Sequence, residues 1–230
     1  MKVLVAGSTG VIGRQLVPLL GSTGHDVAEL VRPGQTPTSS RSTAVTADAF
    51  DRTALAGAVR RFEPEVIVDM LTAIPHKINP RRLARDMALT NRLRTEGTAN
   101  LVAAGGGARL ISQGLAYVYD PDGTGLADEG RSLWVDGPAQ LRPVVAALVE
   151  HERITLETEG TVLRLGHLYG PGTALAADGS MTAQVRNGKM PLVGDGGAVF
   201  SFTHAADAAS AVVAALDRPY RGVLNVVDDE

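Results

Sequence analysis

The first thirteen residues constrain this chain more than any other stretch. Lys2-Val3-Leu4-Val5-Ala6 is an apolar run with the length of a buried parallel strand. Gly7-Ser8-Thr9-Gly10-Val11-Ile12-Gly13 follows at once, and a helical apolar pattern begins at Val11 and Ile12 and continues through Leu16, Leu19 and Leu20. A strand, a glycine-rich turn and a helix start together make a cradle for a pyrophosphate. Gly7 permits the tight turn, Gly10 lets a phosphate come close to the backbone, and Gly13 lets the helix pack on the strand. The helix N-terminus offers free N–H groups and a partial positive charge to the anion. The plain alternative is a glycine turn without a ligand, and the position directly after the first strand speaks against it.

The rest of the composition narrows the partners. A chain of 230 residues is long enough for one α/β domain with a sizeable core. Net charge is −3 and no basic run stands out, which argues against nucleic acid and anionic membranes. The apolar start is too short, and too soon broken by glycine, for a leader or a membrane span. There is no cysteine, so disulfides, thiolate metal sites and a cysteine nucleophile are excluded. No metal site is expected, and a cytoplasmic location fits.

Further strands and helices alternate along the chain. Val27-Ala28-Glu29-Leu30-Val31 reads as strand two and ends in Arg32-Pro33-Gly34. Dinucleotide folds place an acid near this point, on the ribose 2′-OH. An arginine stands there instead and suits a 2′-phosphate, so NADP(H) is preferred over NAD(H). The alternative is a solvated loop arginine. Gln35 to Arg41 reads as a mobile loop. Ala44 to Asp48 reads as strand three, and Asp51 caps a helix from Thr53 to Phe62. Val66 to Ala73 reads as strand four, whose end (Leu71, Thr72, Ala73) should lie beside the nicotinamide ribose. The basic cluster Lys77, Arg81, Arg82 and Arg85 reads as a solvated loop leading into a helix. A helix from Arg94 to Ala104, strand five from Ala108 to Ser112, a helix starting near Pro143, and strand six from Gly160 to Leu165 follow. The expected fold is a single α/β domain, a doubly wound parallel sheet. Its core spans about 1–165 and 200–230, with a small C-terminal-side substrate lobe at about 166–199.

The glycine spacing, G-x-x-G-x-x-G, resembles that of the short-chain dehydrogenase/reductase superfamily in its extended, NAD(P)-dependent epimerase/dehydratase-like branch. Other stretches agree. Asp48-Ala49-Phe50-Asp51 is similar to the family's Asp-x-x-Asp element. Gly97, Thr98, Asn100 and Leu101 match its Asn-x-x-Gly-Thr-x-Asn-Leu helix, with Arg94 in place of the first Asn. Arg164 with Tyr169-Gly170-Pro171, His204 with Asp207 and Ala209, and Gly222 to Val227 match later elements, so the resemblance covers the whole chain. It implies a Rossmann-like fold with Asp48 and Ala49 at the adenine edge. The expected cofactor contacts are Gly7, Thr9, Gly10, Val11, Ile12, Gly13, Arg32, Asp48, Ala49, Leu71, Thr72, Ala73, Gln113 and Leu165. In the family a further segment follows the last core strand. The sequence here stops at Asp228-Asp229-Glu230, through truncation, disorder or a reduced lobe.

The family's serine, tyrosine and lysine have no counterparts. In that family the tyrosine is the general acid/base, the lysine lowers its pKa and holds the ribose, and the serine orients the substrate oxygen. Tyrosine and lysine stand four apart on one helix face. Here the two registers of that helix supply either Arg142 and Ala146 or Val144 and Leu148, and the serine's slot falls on Leu115. The chain therefore resembles atypical members that keep the phosphate cradle without the usual proton relay.

The resemblance then implies an NADP(H)-dependent carbonyl reductase, a ketoreductase for a bulky hydrophobic secondary metabolite such as an aromatic polyketide. Its proton would come from water, the substrate or a substitute side chain. The candidate substitutes are Tyr117 and Tyr119, each with a packing role as the alternative, and His167, with a hydrogen-bonded turn histidine as the alternative. His151 reads as surface, and His204 as ordering a helix start with Asp207. Leu133-Trp134-Val135, Met181, Met190-Pro191-Leu192-Val193 and Phe200 offer apolar lining for a polycyclic small molecule. Gly194-Asp195-Gly196-Gly197 reads as a turn. Two other classes stay open: an NADP-binding sensor without turnover, and a non-redox epimerase, dehydratase or cyclase-like enzyme. The assembly is a monomer or a homodimer.

Overall fold

The computed structural model describes residues 1–75, 78–121, 125–190, 195, 197 and 199–229. Seven strands form its main sheet: β1 (Lys2–Ala6), β2 (Asp26–Val31), β3 (Thr43–Thr46), β4 (Val66–Asp69), β5 (Arg109–Leu115), β6 (Thr161–Leu165) and β9 (Gly222–Val226). The sheet is wholly parallel, in the order β3-β2-β1-β4-β5-β6-β9. The order runs outward both ways from β1 and β4, so the crevice for a ligand opens between the carboxyl ends of these two strands.

Helices cover both faces, which is why the central strands are near-continuous apolar runs. α1 (Val11–Ser22) and α8 (Ala205–Asp217) bury Leu16, Leu20, Val212 and Leu216 against Val3, Val5 and Val68. On the opposite face, α2 (Arg52–Phe62) packs Leu55 and Val59 with Leu4, Ile67 and Leu110. α3 (Leu83–Asp86) and α4 (Ala88–Arg92) lead into a π-helical turn, Leu93–Gly97, and then α5 (Thr98–Gly105). α6 (Arg142–Glu157) starts with Pro143 in its first turn and buries Val144, Val145 and Leu148 against Met87, Val118 and Leu133. Its apolar face therefore packs inward.

Outside the main sheet, β7 (His167–Tyr169) and β8 (Phe202–His204) pair in parallel, and α7 is Ser180–Arg186. His204 caps α8, its Nδ1 accepting from Ala206 N at 3.3 Å, as the sequence suggests. Asp51 caps α2 from the expected position, accepting from Ala54 N at 2.9 Å. Among the described residues no helix is long and apolar enough to cross a membrane. Lys77, Pro191, Leu192, Val193, Gly194 and Gly196 lie outside the described residues.

Two local expectations change. The Gln35–Arg41 stretch, expected to be mobile, is moored to the buried Glu29 carboxylate. Thr38 donates to it through N and Oγ1 at 2.8 Å each, Ser39 N donates at 3.1 Å, and Ser42 Oγ adds a further bond. The sequence does not reveal this link, because the donors to Glu29 lie nine to thirteen residues further on, in a loop whose path the strand pattern does not fix. His151, expected at the surface, is 2% exposed because α6 turns it toward the end of β4.

Candidate active site

The cradle forms at the end of β1. Gly7 adopts φ +95°, and a Cβ there would lie 2.5 Å from Met70 O. A Cβ on Gly13 would lie 2.3 Å from Gly7 O, so strand end and helix touch backbone to backbone. Gly10 differs. Its added Cβ would meet only Gly7 O, at 3.2 Å, and otherwise faces open space. Gly10 is also the N-cap of α1, with no side-chain cap and no acid in the first turn. The first-turn N–H groups are thus left for an outside acceptor. Thr9 is exposed and its carbonyl accepts from Arg14 Nε at 2.8 Å, while Val11 is half-buried and Ile12 buried. These residues fit a pyrophosphate.

The residues expected on the adenosine side lie along the ends of β2 and β3. Arg32 is exposed just beyond β2, with no ion pair among the described residues. Asp48 accepts from Phe50 N at 2.8 Å, which turns the chain there, and the carbonyl of buried Ala49 accepts from Asn100 Nδ2 at 3.0 Å. At the end of β4, Leu71 N donates to Asp69 Oδ1 at 3.0 Å and Ala73 N donates to Thr90 Oγ1 at 3.1 Å, leaving Thr72 exposed. Gln113 and Leu165, on adjacent strands, are 9% and 3% exposed.

Beneath the end of β4 lies a buried polar cluster that the sequence does not reveal. Thr98 Oγ1 donates to Asp69 Oδ2 at 2.8 Å and lies 2.9 Å from His151 Nδ1, which is also 3.0 Å from Arg94 O. A ring nitrogen facing a carbonyl must carry the proton, so His151 is an Nδ1–H tautomer. Burial pushes the His151 pKa down and the Asp69 pKa up. Arg94 is 2% exposed.

α6 presents no phenol–ammonium pair in either register. Val144 and Leu148 are buried in the core, while Arg142 and Ala146 lie toward solvent, with Arg142 Nε donating to Gly137 O at 2.8 Å. Leu115 occupies the serine's slot at the end of β5, and Ser112, inside the strand, is bonded to Thr155 at 2.8 Å. Of the candidate substitutes, Tyr119 is committed elsewhere: its hydroxyl donates to Asn225 Oδ1 and accepts from Arg164 Nη1 at 3.0 Å. Tyr117 and His167, 50 positions apart, are brought together, with ring centroids 3.8 Å apart and planes 14° apart. Burial lowers the His167 pKa. Desolvation raises the Tyr117 pKa, partly offset by the Arg94 charge, although 42% of the residue's surface remains exposed.

This stack walls a cavity of about 330 Å³, whose other described sides include Tyr119, Arg131 and Phe200. Phe200 meets His167 edge-on with centroids 5.6 Å apart. Among the other apolar candidates, Leu133 packs in the core, while Met181 (38%) and Val135 (52%) are largely exposed. Among the described residues no cluster of three or more His, Asp or Glu side chains could hold a metal.

The family model described as "NAD dependent epimerase/dehydratase family" matches residues 3–227. The chain belongs to that family. A curated relative, 3-diazoavenalumate denitrifying reductase from Streptomyces sp, is 45% identical over 242 residues, which cover 100% of this chain and 77% of the relative. Among solved structures, the UDP-glucose 4-epimerase of Thermus thermophilus in complex with NAD matches at 22% identity and TM-score 0.73, over 100% of this chain and 78% of that one. dTDP-glucose 4,6-dehydratase from Bacillus anthracis str. Ames, also in complex with NAD, matches at 19% identity and TM-score 0.73, over 100% and 76%. These structures share the fold. Family membership makes the chain an enzyme of the oxidoreductase and epimerase kind, as the glycine cradle and later motifs suggest.

Proposed function

We propose that this chain is a nicotinamide-dependent reductase, preferring NADP(H) to NAD(H), that removes a diazo group as dinitrogen from a small planar carboxylate. The observation that carries the reading is a missing relay. Neither register of α6 offers a phenol and an ammonium, and the Tyr119 hydroxyl, in the segment after β5, is spent on Asn225. A carbonyl that takes up hydride must also take up a proton. A diazonium carbon does not: it gains hydride, the C–N bond breaks, and N2 leaves with the bonding pair. Charge and atoms balance with no acid. The denitrifying reductase relative supports this chemistry.

A bound reduced nicotinamide supplies the hydride. The chain's own work is positioning. Gly7, Gly10 and Gly13, with Thr9, Val11 and Ile12, hold the pyrophosphate. Arg32 reads the 2′-phosphate, Asp48 and Ala49 border the adenine, and Leu71, Thr72, Ala73, Gln113 and Leu165 flank the ribose and ring. The Tyr117–His167 stack and Phe200 offer aromatic faces to a flat, electron-poor group. The cavity volume, about 330 Å³, is at the small end of ordinary ligand pockets, about 300–1,000 Å³. It suits one ring better than a polycycle. Residues 166–199 with β8 act as the substrate lobe in this reading.

A ketoreductase is the second reading, favoured by the placement of Tyr117 and His167 in the cavity wall, where either could protonate an oxygen. The deciding experiment supplies NADPH with an arenediazonium carboxylate in one arm and a panel of monocyclic and polycyclic ketones in the other. Stoichiometric N2 and NADPH loss in the first arm alone is the expected result. Turnover of ketones alone would replace the first reading with the second.

A further inference from the structure

The buried polar cluster contains a cation whose hydrogen-bonding capacity is only partly met among the described residues. Arg94 is 2% exposed, and its Nε and Nη1 are buried with no hydrogen-bond partner. A guanidinium has five N–H donors, and a buried unpaired donor on a charged group costs more than one on a neutral group. Asp69 is close enough to act on Arg94 electrostatically, yet its two oxygens accept from Leu71 N and Thr98 Oγ1, and no hydrogen bond joins it to Arg94 Nε or Nη1. Arg94 is also near enough to Tyr117, in the wall of the cavity, for its charge to favour the ionised phenol.

The backbone around Arg94 is built to aim it. Arg94 sits in the π-helical turn Leu93–Gly97, and such turns recur at functional sites because they shift one side chain out of helical register. His151 reaches from α6 to bond the Arg94 carbonyl at 3.0 Å, while Thr98 ties the turn to Asp69. Long helical side chains lean toward the helix N-terminus, here the end of the helix at the carboxyl edge of the sheet. A helix that needed only a core residue here would carry an aliphatic one.

We infer that Arg94 is the binding cation of the cleft, delivered from the helix beside α6 to donate hydrogen bonds to oxygen atoms of the bound ligand, either the hydroxyls of the dinucleotide's nicotinamide-side sugar or an oxyanion of the substrate. The inference rests on the cofactor reading above. It separates from a structural role by the sign of one effect. Replacing an unsatisfied buried charge by an apolar side chain of similar volume leaves a fold as stable or more stable. Removing half of a structural ion pair destabilises it and leaves the ligand untouched.

The test compares the parent with Arg94→Met and Arg94→Lys by urea denaturation, NADPH titration and steady-state kinetics. Arg94→Met should fold with undiminished stability and lose about 10- to 100-fold in one ligand-dependent quantity, the scale of a hydrogen bond to a charged group. A raised NADPH Kd assigns the sugar hydroxyls. An unchanged Kd with a raised substrate KM assigns a substrate oxyanion. Arg94→Lys should recover part of the loss. If Arg94→Met loses stability and keeps both Kd and KM, Arg94 is a structural partner of Asp69 and the inference is overturned, with the reading of function intact. A parent that binds neither NADPH nor NADH overturns both.

Discussion

Arg164 grips Glu152 through two parallel hydrogen bonds, Nε to Oε1 at 2.8 Å and Nη2 to Oε2 at 2.7 Å, joining β6 to α6 with both residues nearly enclosed. The same guanidinium reaches the Tyr119 hydroxyl, which bonds Asn225 on β9. One ion pair therefore ties α6, β6, β9 and the segment after β5. Desolvation alone would lower the Arg164 pKa, but the Glu152 bonds and the Tyr119 hydroxyl outweigh it and hold that pKa above its usual value, so the guanidinium stays charged. Glu152→Ala strands the buried cation and should cost about 3–5 kcal/mol. Urea denaturation measures it. A loss below about 1 kcal/mol, the scale of an exposed pair, would show that water reaches Arg164.

The cradle glycines should separate into two kinds. Gly13→Ala forces a Cβ to within 2.3 Å of Gly7 O and must move α1 off β1, so it loses stability and dinucleotide binding together. Gly10→Ala meets only Gly7 O at 3.2 Å, and its φ of −73° suits alanine. It should fold with a loss under about 1 kcal/mol and still fail to bind NADPH, because the methyl fills the space a phosphate needs. Paired melting and titration of both variants check this. Gly10→Ala with parent-like affinity would place the pyrophosphate elsewhere.

Arg32 should decide between the two dinucleotides. Arg32→Ala removes an exposed guanidinium that forms no ion pair among the described residues. Stability should hold, NADPH affinity should fall about 10- to 100-fold, and NADH affinity should stay level. The parent's preference should also weaken with added salt, since this contact is open to solvent. Equal losses for both dinucleotides would put Arg32 on the shared pyrophosphate.

Glu29 gives a prediction in pH. Burial alone would raise its pKa, but bonds from Ser42 and Thr38 outweigh it and bring the carboxyl below its usual 4.5. A depressed folded-state pKa contributes stability that is complete above the unfolded value and disappears as pH falls through the folded one. Glu29→Gln, which removes the charge and puts an N–H₂ where two backbone N–H groups and two hydroxyls donate, should therefore cost about 1–3 kcal/mol at pH 7. Parent and variant should converge below pH 4.5. A gap that persists undiminished in acid would mean the stabilisation comes from shape rather than charge.

The parts of the fold legible in the sequence are those whose physics is local. A glycine before a helix, an aspartate three residues before Ala54 and a proline in the first turn of α6 each act through their own backbone, and each stands where expected. The features that were not legible depend on a partner far along the chain. Glu29 is explained only by the loop that folds over it, and His151 only by Asp69 and Thr98, 82 and 53 positions away. Arg94 stood out as a departure from the family's asparagine, but no helical period announces the π-turn that redirects it. The Tyr117–His167 stack is intermediate: both were candidates, and only the pairing of β5 with β6 sets them face to face.

That stack offers the sharpest test of the chemistry. Burial lowers the His167 pKa, so its imidazole is neutral at and above neutral pH, and burial raises the Tyr117 pKa, so its phenol keeps its proton there. If hydride transfer releases N2, neither group exchanges a proton in the slow step. Tyr117→Phe should then retain kcat, with KM altered only as far as the stack is loosened, and the parent's kcat should be flat from about pH 6.5 to 8.5. If the acceptor is a carbonyl, the same substitution removes the acid and should lower kcat by about 10²- to 10⁴-fold, with a limb in the pH profile that the variant lacks. Measuring kcat and kcat/KM across that range for parent and Tyr117→Phe separates the two. His167→Phe completes the set: it keeps the aromatic face while removing both ring nitrogens. An active, pH-flat His167→Phe variant would leave the wall of the cavity as a surface for stacking, with no proton to give.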